Sequence, residues 1–166
     1  MLTKRQPVGK TIHSPSLRKG WGVLVFFLLF IVSCTSIDCP IQNTVYTVYT
    51  VNGTVGDTLS VSIHQATGKD TIVYNRGINP TSFNLPISYQ RAVDTLFFYF
   101  YGKNVTDTVC VSKTDIPHFE SVDCGASFFH TLNGVTTTHH AIADIVITNP
   151  TVDYDSSNPH FLITFQ

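Results

Sequence analysis

"DTLSVSIHQ" (57–65) decides the fold class. Leu59, Val61 and Ile63 alternate with Ser60, Ser62 and His64, and a period of two puts the aliphatics on one face of a strand and the polar residues on the other. The stretch opens with Asp-Thr-aliphatic, and the same device returns at "DTI" (70–72), "DTL" (94–96) and "DTV" (107–109). An Asp carboxylate accepts hydrogen bonds from nearby backbone N–H groups and so favours turns, whereas Thr and a following aliphatic favour extended backbone. Each copy therefore reads as a turn-to-strand junction. The intervals from 57 to 70 and from 94 to 107 are both thirteen residues, which suits two hairpins.

Outward from that stretch, short β-branched and aromatic segments follow one another, punctuated by Gly, Asn, Asp and Pro. They are "TVYTVYTV" (44–51), "TIVYN" (71–75), "TSFNLPI" (81–87), "DTLFFYFYG" (94–102), "TVCVSK" (108–113), "FFHTL" (128–132), "THHAIADIVIT" (138–148) and "PHFLITF" (159–165). Pro86 cannot donate to a ladder, which makes 81–87 an edge strand. The run 94–102 is apolar on both faces and reads as a central, covered strand. Residues 114–127 read as an irregular excursion or one short helix, and no helical periodicity persists elsewhere beyond the leader. The expectation is an all-β, antiparallel β-sandwich of immunoglobulin-like type with eight or nine strands, a small barrel being the alternative.

The first 33 residues have a different character. Lys4, Arg5, Lys10, Arg18 and Lys19 precede the apolar run "WGVLVFFLLFIVS" (21–33), with no acidic residue among them. Thirteen residues are too few to cross a hydrocarbon core of about 30 Å but suit a signal peptide. The run ends in "IVSC", which resembles a bacterial lipobox and implies that Cys34 becomes the acylated first residue of the mature protein. The expected organisation is a signal peptide (1–33), a lipid-anchored tether (34–42) and one domain (43–166). Thr35 is not an inner-membrane retention Asp, so the expected address is the outer membrane of the cell envelope, periplasmic or surface-facing. After residue 33 there are five basic and eleven acidic residues, a net of about −6. That balance argues against nucleic acid as a partner.

Several stretches, "SIDCPIQNTVYTVY" (36–49), "PHFESVDCG" (117–125), "FFHTL" and "HAIADIVITNPTVDYD" (140–155), resemble a group of uncharacterised small lipoproteins of the Bacteroides lineage, a domain of unknown function. The resemblance covers nearly all of the mature chain and implies an envelope address and a β-rich fold, with no activity or catalytic residue. The general O-glycosylation system of that lineage resembles a rule of Asp, then Ser or Thr, then a small or branched apolar residue. Thr58, Thr71, Thr95 and Thr108 all meet it, and Thr95, at the mouth of a central strand, is the least accessible of the four.

Three cysteines remain after Cys34. "SIDC" (36–39) and "SVDC" (121–124) echo each other in loop-like surroundings, so Cys39–Cys124 is the expected disulfide, ahead of another pairing or none. Closing so long a loop is worth roughly 4 kcal/mol in the chain-entropy model. Cys110, between Val109 and Val111, reads as a buried free thiol. Six histidines follow the leader, but His139 and His140 would point to opposite faces of a strand, and His140 and Asp144 stand about 13 Å apart along one. Satisfied histidines are therefore expected rather than a metal site, and Asp153 and Asp155 in "DYDSSN" lack the remainder of a calcium loop. There is no Gly-x-Ser-x-Gly elbow, His-Glu-x-x-His or phosphate-binding glycine loop, and Glu120 is the only glutamate. The expected function is that of a non-enzymatic lipoprotein without a cofactor, serving binding, assembly or envelope maintenance through an envelope protein or glycan. A small-ligand or glycan-binding module is the alternative, and an enzyme with a convergent site comes third. Tyr46, Tyr49, Tyr99 and Tyr101 are candidate patch residues that otherwise pack the sheets together.

Overall fold

A computed structural model describes residues 44–65, 67–119 and 124–166. These form ten strands and no helix, arranged as two sheets. The six-stranded sheet contains β2 (Thr58–His64), β3 (Asp70–Ile78), β5 (Val93–Phe100), β6 (Val105–Phe119), β7 (Ala126–Thr137) and β9 (Thr151–Val152), in the order β3-β2-β5-β6-β7-β9. The four-stranded sheet contains β1 (Tyr46–Asn52), β4 (Ser82–Pro86), β8 (Ile142–Ile147) and β10 (Phe161–Phe165), in the order β4-β1-β10-β8. The architecture is the expected β-sandwich, with one or two more strands than the sequence indicates.

The alternating aliphatics of β2 are buried: Leu59, Val61 and Ile63 meet the inner residues of β5, Leu96, Phe98 and Phe100. The opposite sheet supplies Tyr49, stacked between Phe83 and Phe161 at centroid distances of 5.3 and 4.6 Å, with Phe98 edge-on at 6.2 Å. Offset and edge-on aromatic pairs of this kind add about 0.5–1.5 kcal/mol each beyond the area they bury. Both thirteen-residue intervals are hairpins, β2–β3 and β5–β6. Pro86 ends β4 at the rim of its sheet, where no ladder donor is needed.

Three expectations are corrected. Strand β5 is covered on one face only, since Thr95, Phe97 and Tyr99 remain half-exposed. Residues 114–119 are neither excursion nor helix: β6 runs on to Phe119 and pairs with β7 as far as Ala126, making a long hairpin arm. Its polar-looking sequence alternates, but with Asp115 and Lys113 turned inward, so hydrophobicity alone does not mark the strand. "THH" precedes β8 rather than opening it, and His139 has a positive φ of 60°.

Two seams close the sandwich. The first and last strands, β1 and β10, pair in parallel from Tyr49↔Phe161 to Asn52↔Thr164. Buried His160 extends that seam, its Nδ1 accepting a hydrogen bond from the Val48 N–H at 2.9 Å. Burial lowers the His160 pKa, so its ring is neutral with the proton on Nε2. The second seam is made by carboxylates. Asp107 is fully buried, and its Oδ1 accepts from Thr138 Oγ1 (2.8 Å) and His140 N (2.6 Å) while Oδ2 accepts from Ala141 N (2.7 Å) and Ile142 N (2.8 Å). Burial works to raise the Asp107 pKa, but these donors outweigh it and hold the group below the usual carboxylate range. Asp57 does the same for the β5–β6 turn, accepting from Gly102 N (2.6 Å) and Lys103 N (2.9 Å). A Cβ at Gly102 would lie 2.8 Å from Asp57 Oδ1, so any other residue here would have to displace that carboxylate.

Asp107→Ala should lower stability in urea unfolding by about 3 kcal/mol, because several buried N–H groups lose their acceptor together. Asp107→Asn should fall between that variant and the parent, since one oxygen still serves half of the donors. Parental stability for the alanine variant would remove the clamp from this account.

Candidate functional site

The connection from β4 to β5 is the loop 87–92, and it forms one side of a cleft of about 650 Å³. Ser88, Tyr89, Gln90 and Arg91 of the loop face Gln65 after β2 and Phe128 and His130 on β7. That volume lies within the range of small-ligand sites. The rings of Tyr89 and Phe128 stack at 4.7 Å with planes 6° apart, and Tyr89 stays 57% exposed.

Buried charges fix the loop. Asp94 begins β5 on its inner face and accepts the Ser88 N–H on Oδ2 at 2.9 Å. Burial pushes its pKa up, against the Ser88 N–H and the positive charges of Lys113 and Arg91. Lys113 has no exposed side-chain surface; its Nζ donates to the Arg91 carbonyl (2.6 Å) and to Asp115 Oδ1 (2.9 Å). The same Asp115 oxygen meets His130 Nδ1 at 2.7 Å. Burial lowers the His130 pKa, so the ring is neutral, with Nδ1–H donated to ionised Asp115. For Asp115 burial acts to raise the pKa, but Lys113 and His130 outweigh it and hold the carboxyl low. One lysine therefore ties the loop backbone to the cleft wall. A register shift at Ser112/Lys113, where Asn133 is the extra residue of β7, accompanies this placement.

Arg91 is held more loosely. Its Nη2 lies 3.8 Å from Asp94 Oδ1, beyond hydrogen-bond range, and both Arg91 Nε and Asp94 Oδ1 are buried without a hydrogen-bond partner.

Sequence inspection did not single out Arg91, Asp94, Lys113, Asp115 or His130 as a group. A signal was present: Val109, Val111 and Lys113 share one parity of β6, so a lysine stands where the period of two demands a core residue. The residues that were singled out are dispersed. Cys34 and Cys39 lie outside the described residues; Cys124 is disulfide-bonded and Cys110 is a free, half-buried thiol. Thr71 is exposed on the rim strand β3, whereas Thr58, Thr95 and Thr108 are half-buried. Asp94 and Asp107, which precede two of these threonines, are buried and committed to backbone donors. Asp70 instead pairs with His64 at 2.7 Å on the surface. His139 and His140 sit in the connection before β8, the latter beside Asp107, and Asp153 and Asp155 accept from Asp155 N and Ser157 N in local turns. No group of three His, Cys, Asp or Glu able to hold an ion occurs among the described residues. Tyr49 is core rather than patch, while Tyr99 and Tyr101 form an edge-on surface pair with Arg76 4.8 Å from the Tyr101 ring centroid.

Fold and site together define a two-sheet sandwich with a cleft walled by Tyr89 and Phe128 among the described residues. Residues 58–165 match the model of a family of unknown function, DUF6452, and the chain belongs to that family. No curated protein and no solved structure matches it.

Lys113→Met should leave Asp115 without its cation, free the Arg91 carbonyl and lower stability by about 3 kcal/mol. Amide exchange should accelerate in Gln90 and Ala92 more than in the core of β5. Uniform acceleration, or none, would show that Lys113 does not position the loop.

Proposed function

We propose that the protein is a non-enzymatic, lipid-anchored component of the bacterial outer membrane whose sandwich binds a small ligand in the Tyr89–Phe128 cleft. The observation that carries this reading is the loop 88–91, whose side chains line the cleft while Asp94 and Lys113 pin its backbone from below. A rigid scaffold that presents polar and aromatic side chains on a fixed loop is the arrangement binding sites use. The anchor reading rests on the basic leader, the apolar run and "IVSC", and the lineage on the stretches from 36 to 155 quoted above. Cys34 stands ten residues before Thr44, which lines the cleft. Extended chain covers at most about 3.5 Å per residue, so an anchored domain works within a few tens of ångströms of the bilayer. Assembly with an envelope protein is the second reading, favoured by exposed Ile116 and Phe119 on the β6–β7 arm.

Cys34→Ala should leave the membrane fraction or accumulate as uncleaved precursor, and unchanged fractionation with palmitate incorporation would end the anchor reading. Native mass spectrometry of protein taken gently from host membranes should show a small-molecule adduct that Tyr89→Ala lacks. An adduct retained by that variant would move the ligand elsewhere.

Peptide mapping addresses the two modifications. Without reductant it should recover Cys39 joined to Cys124 and Cys110 as a free thiol, half-buried rather than buried as its sequence context suggests; linkage through Cys110 would reject the pairing. Of the four candidate threonines, Thr71 is the one whose Asp and Thr are both accessible. Glycan mass on host-derived protein should disappear in Thr71→Val. Mass equal to chain plus lipid alone would leave the Asp-Thr copies with only their structural role.

A further inference from the structure

We infer that the cleft is built for an acidic saccharide, with a sugar ring on Tyr89 and its carboxylate or phosphate on the Arg91 guanidinium. This deepens the binding role proposed above and rests on it. Among the described residues lining the cleft there is no Asp or Glu, and Arg91 is the one side chain carrying a formal charge, His130 being held neutral. That cation is not part of a basic surface, since the chain after residue 33 carries about six more negative than positive charges. A positive group set into an acidic protein selects an anion locally.

Arg91 is also only loosely paired within the protein. Asp115 is taken by Lys113 and His130, and Asp94 gives Oδ2 to the Ser88 N–H while Oδ1 stays 3.8 Å from Arg91 Nη2. Arg91 Nε is enclosed and without an acceptor, so it is the exposed quarter of the side chain that a ligand in the cleft meets. A guanidinium in this state lacks the paired, planar acceptor that its fork of donors fits, and a carboxylate or phosphate supplies one.

The remainder of the cleft selects a ring with hydroxyls rather than a bare anion. Phe128 stacks on one face of the Tyr89 ring, and the residue as a whole stays 57% exposed. The negative face of an aromatic ring attracts the weakly positive C–H groups of a pyranose. Ser88, Gln65 and Gln90 offer donors and acceptors for hydroxyls. Because His130 Nδ1 is committed to Asp115, its Nε2 is the unprotonated nitrogen.

The test is NMR titration of the isotope-labelled full chain in detergent with D-glucuronate, D-glucose and inorganic phosphate as separate probes. D-Glucuronate should shift Tyr89, Gln90, Arg91 and Phe128, and D-glucose should bind the same residues about tenfold more weakly, the worth of one charge-assisted contact. Arg91→Gln should erase that preference, and Arg91→Lys, which keeps the charge without the fork, should retain part of it. Unchanged circular dichroism in both variants assigns the loss to the site. A glucuronate-headed glycolipid in phosphatidylcholine vesicles, compared with the free sugar, identifies a membrane-borne or a soluble source, either of which supports the inference. Equal binding of glucose and glucuronate at these residues would overturn the acidic class while leaving the cleft a ligand site. Phosphate binding as tightly as the sugar acid would overturn the role of the ring. No shift with any probe would overturn the inference and the cleft's binding role together.

Discussion

A carboxylate accepting backbone N–H groups across the fold is the interaction on which the structure depends. Where the chain turns or passes from one sheet to the other it leaves the ladder, and its N–H groups must find acceptors or forfeit the desolvation energy of each. Asp107 meets that demand for 138–142, Asp57 for the β5–β6 turn and Asp94 for the β4–β5 loop. Asp57 immediately precedes β2, whereas Asp94 and Asp107 are the second and third residues of β5 and β6, each held by its own ladder. A neutral side chain has one acceptor oxygen where a carboxylate has two, and Asp107 serves four donors. In three of the four Asp-Thr copies the Asp holds a connection while Thr enters the ladder; in the fourth, Asp70 pairs with the His64 side chain instead.

The cleft follows from the same constraint with charge added. The β4–β5 loop crosses from one sheet to the other. Asp94 and Lys113 hold it from the inner side, and Lys113 passes the restraint through Asp115 to His130. The outer side of the loop is left to Tyr89 and Gln90, with Arg91 half-buried between the two. Rigidity of backbone and availability of side chains, which oppose each other in a packed core, are separated here onto two faces of one loop.

Much of the fold was legible. The period of two in 57–65, the thirteen-residue hairpin intervals and Pro86 led to the sandwich, the two hairpins and the rim strand. The arm 114–119 was not, because a strand lined by Lys113 and Asp115 has the composition of a loop, and only their mutual pairing lets them face inward. Strand β9, two residues long, carries no pattern to read. The reach of each Asp was hidden as well: the sequence indicates that Asp57 and Asp107 end turns, but their partners lie 45 and 35 residues away in sequence. Sites assembled from three or four segments, as this cleft is, leave only single anomalies behind, here a lysine on the aliphatic parity of β6.

That lysine also bears on whether the charged floor serves stability or binding. Two cations and two carboxylates, Lys113, Arg91, Asp94 and Asp115, lie beside a core otherwise filled with aliphatic and aromatic side chains. Desolvating such groups offsets most of their attraction, and apolar residues of equal volume often stabilise a fold as well or better. Stability alone would favour the apolar solution at Lys113, between Val111 and the half-buried Asp115 on the same face of β6. What an apolar residue cannot do is grip a loop carbonyl and orient a histidine at once, and the loop and histidine so held are two walls of the cleft. The Arg91 guanidinium stands 3.8 Å from Asp94 with Nε unmatched, a looser pairing than that of Lys113 with Asp115 at 2.9 Å, so Arg91 adds less than Lys113 to holding the loop.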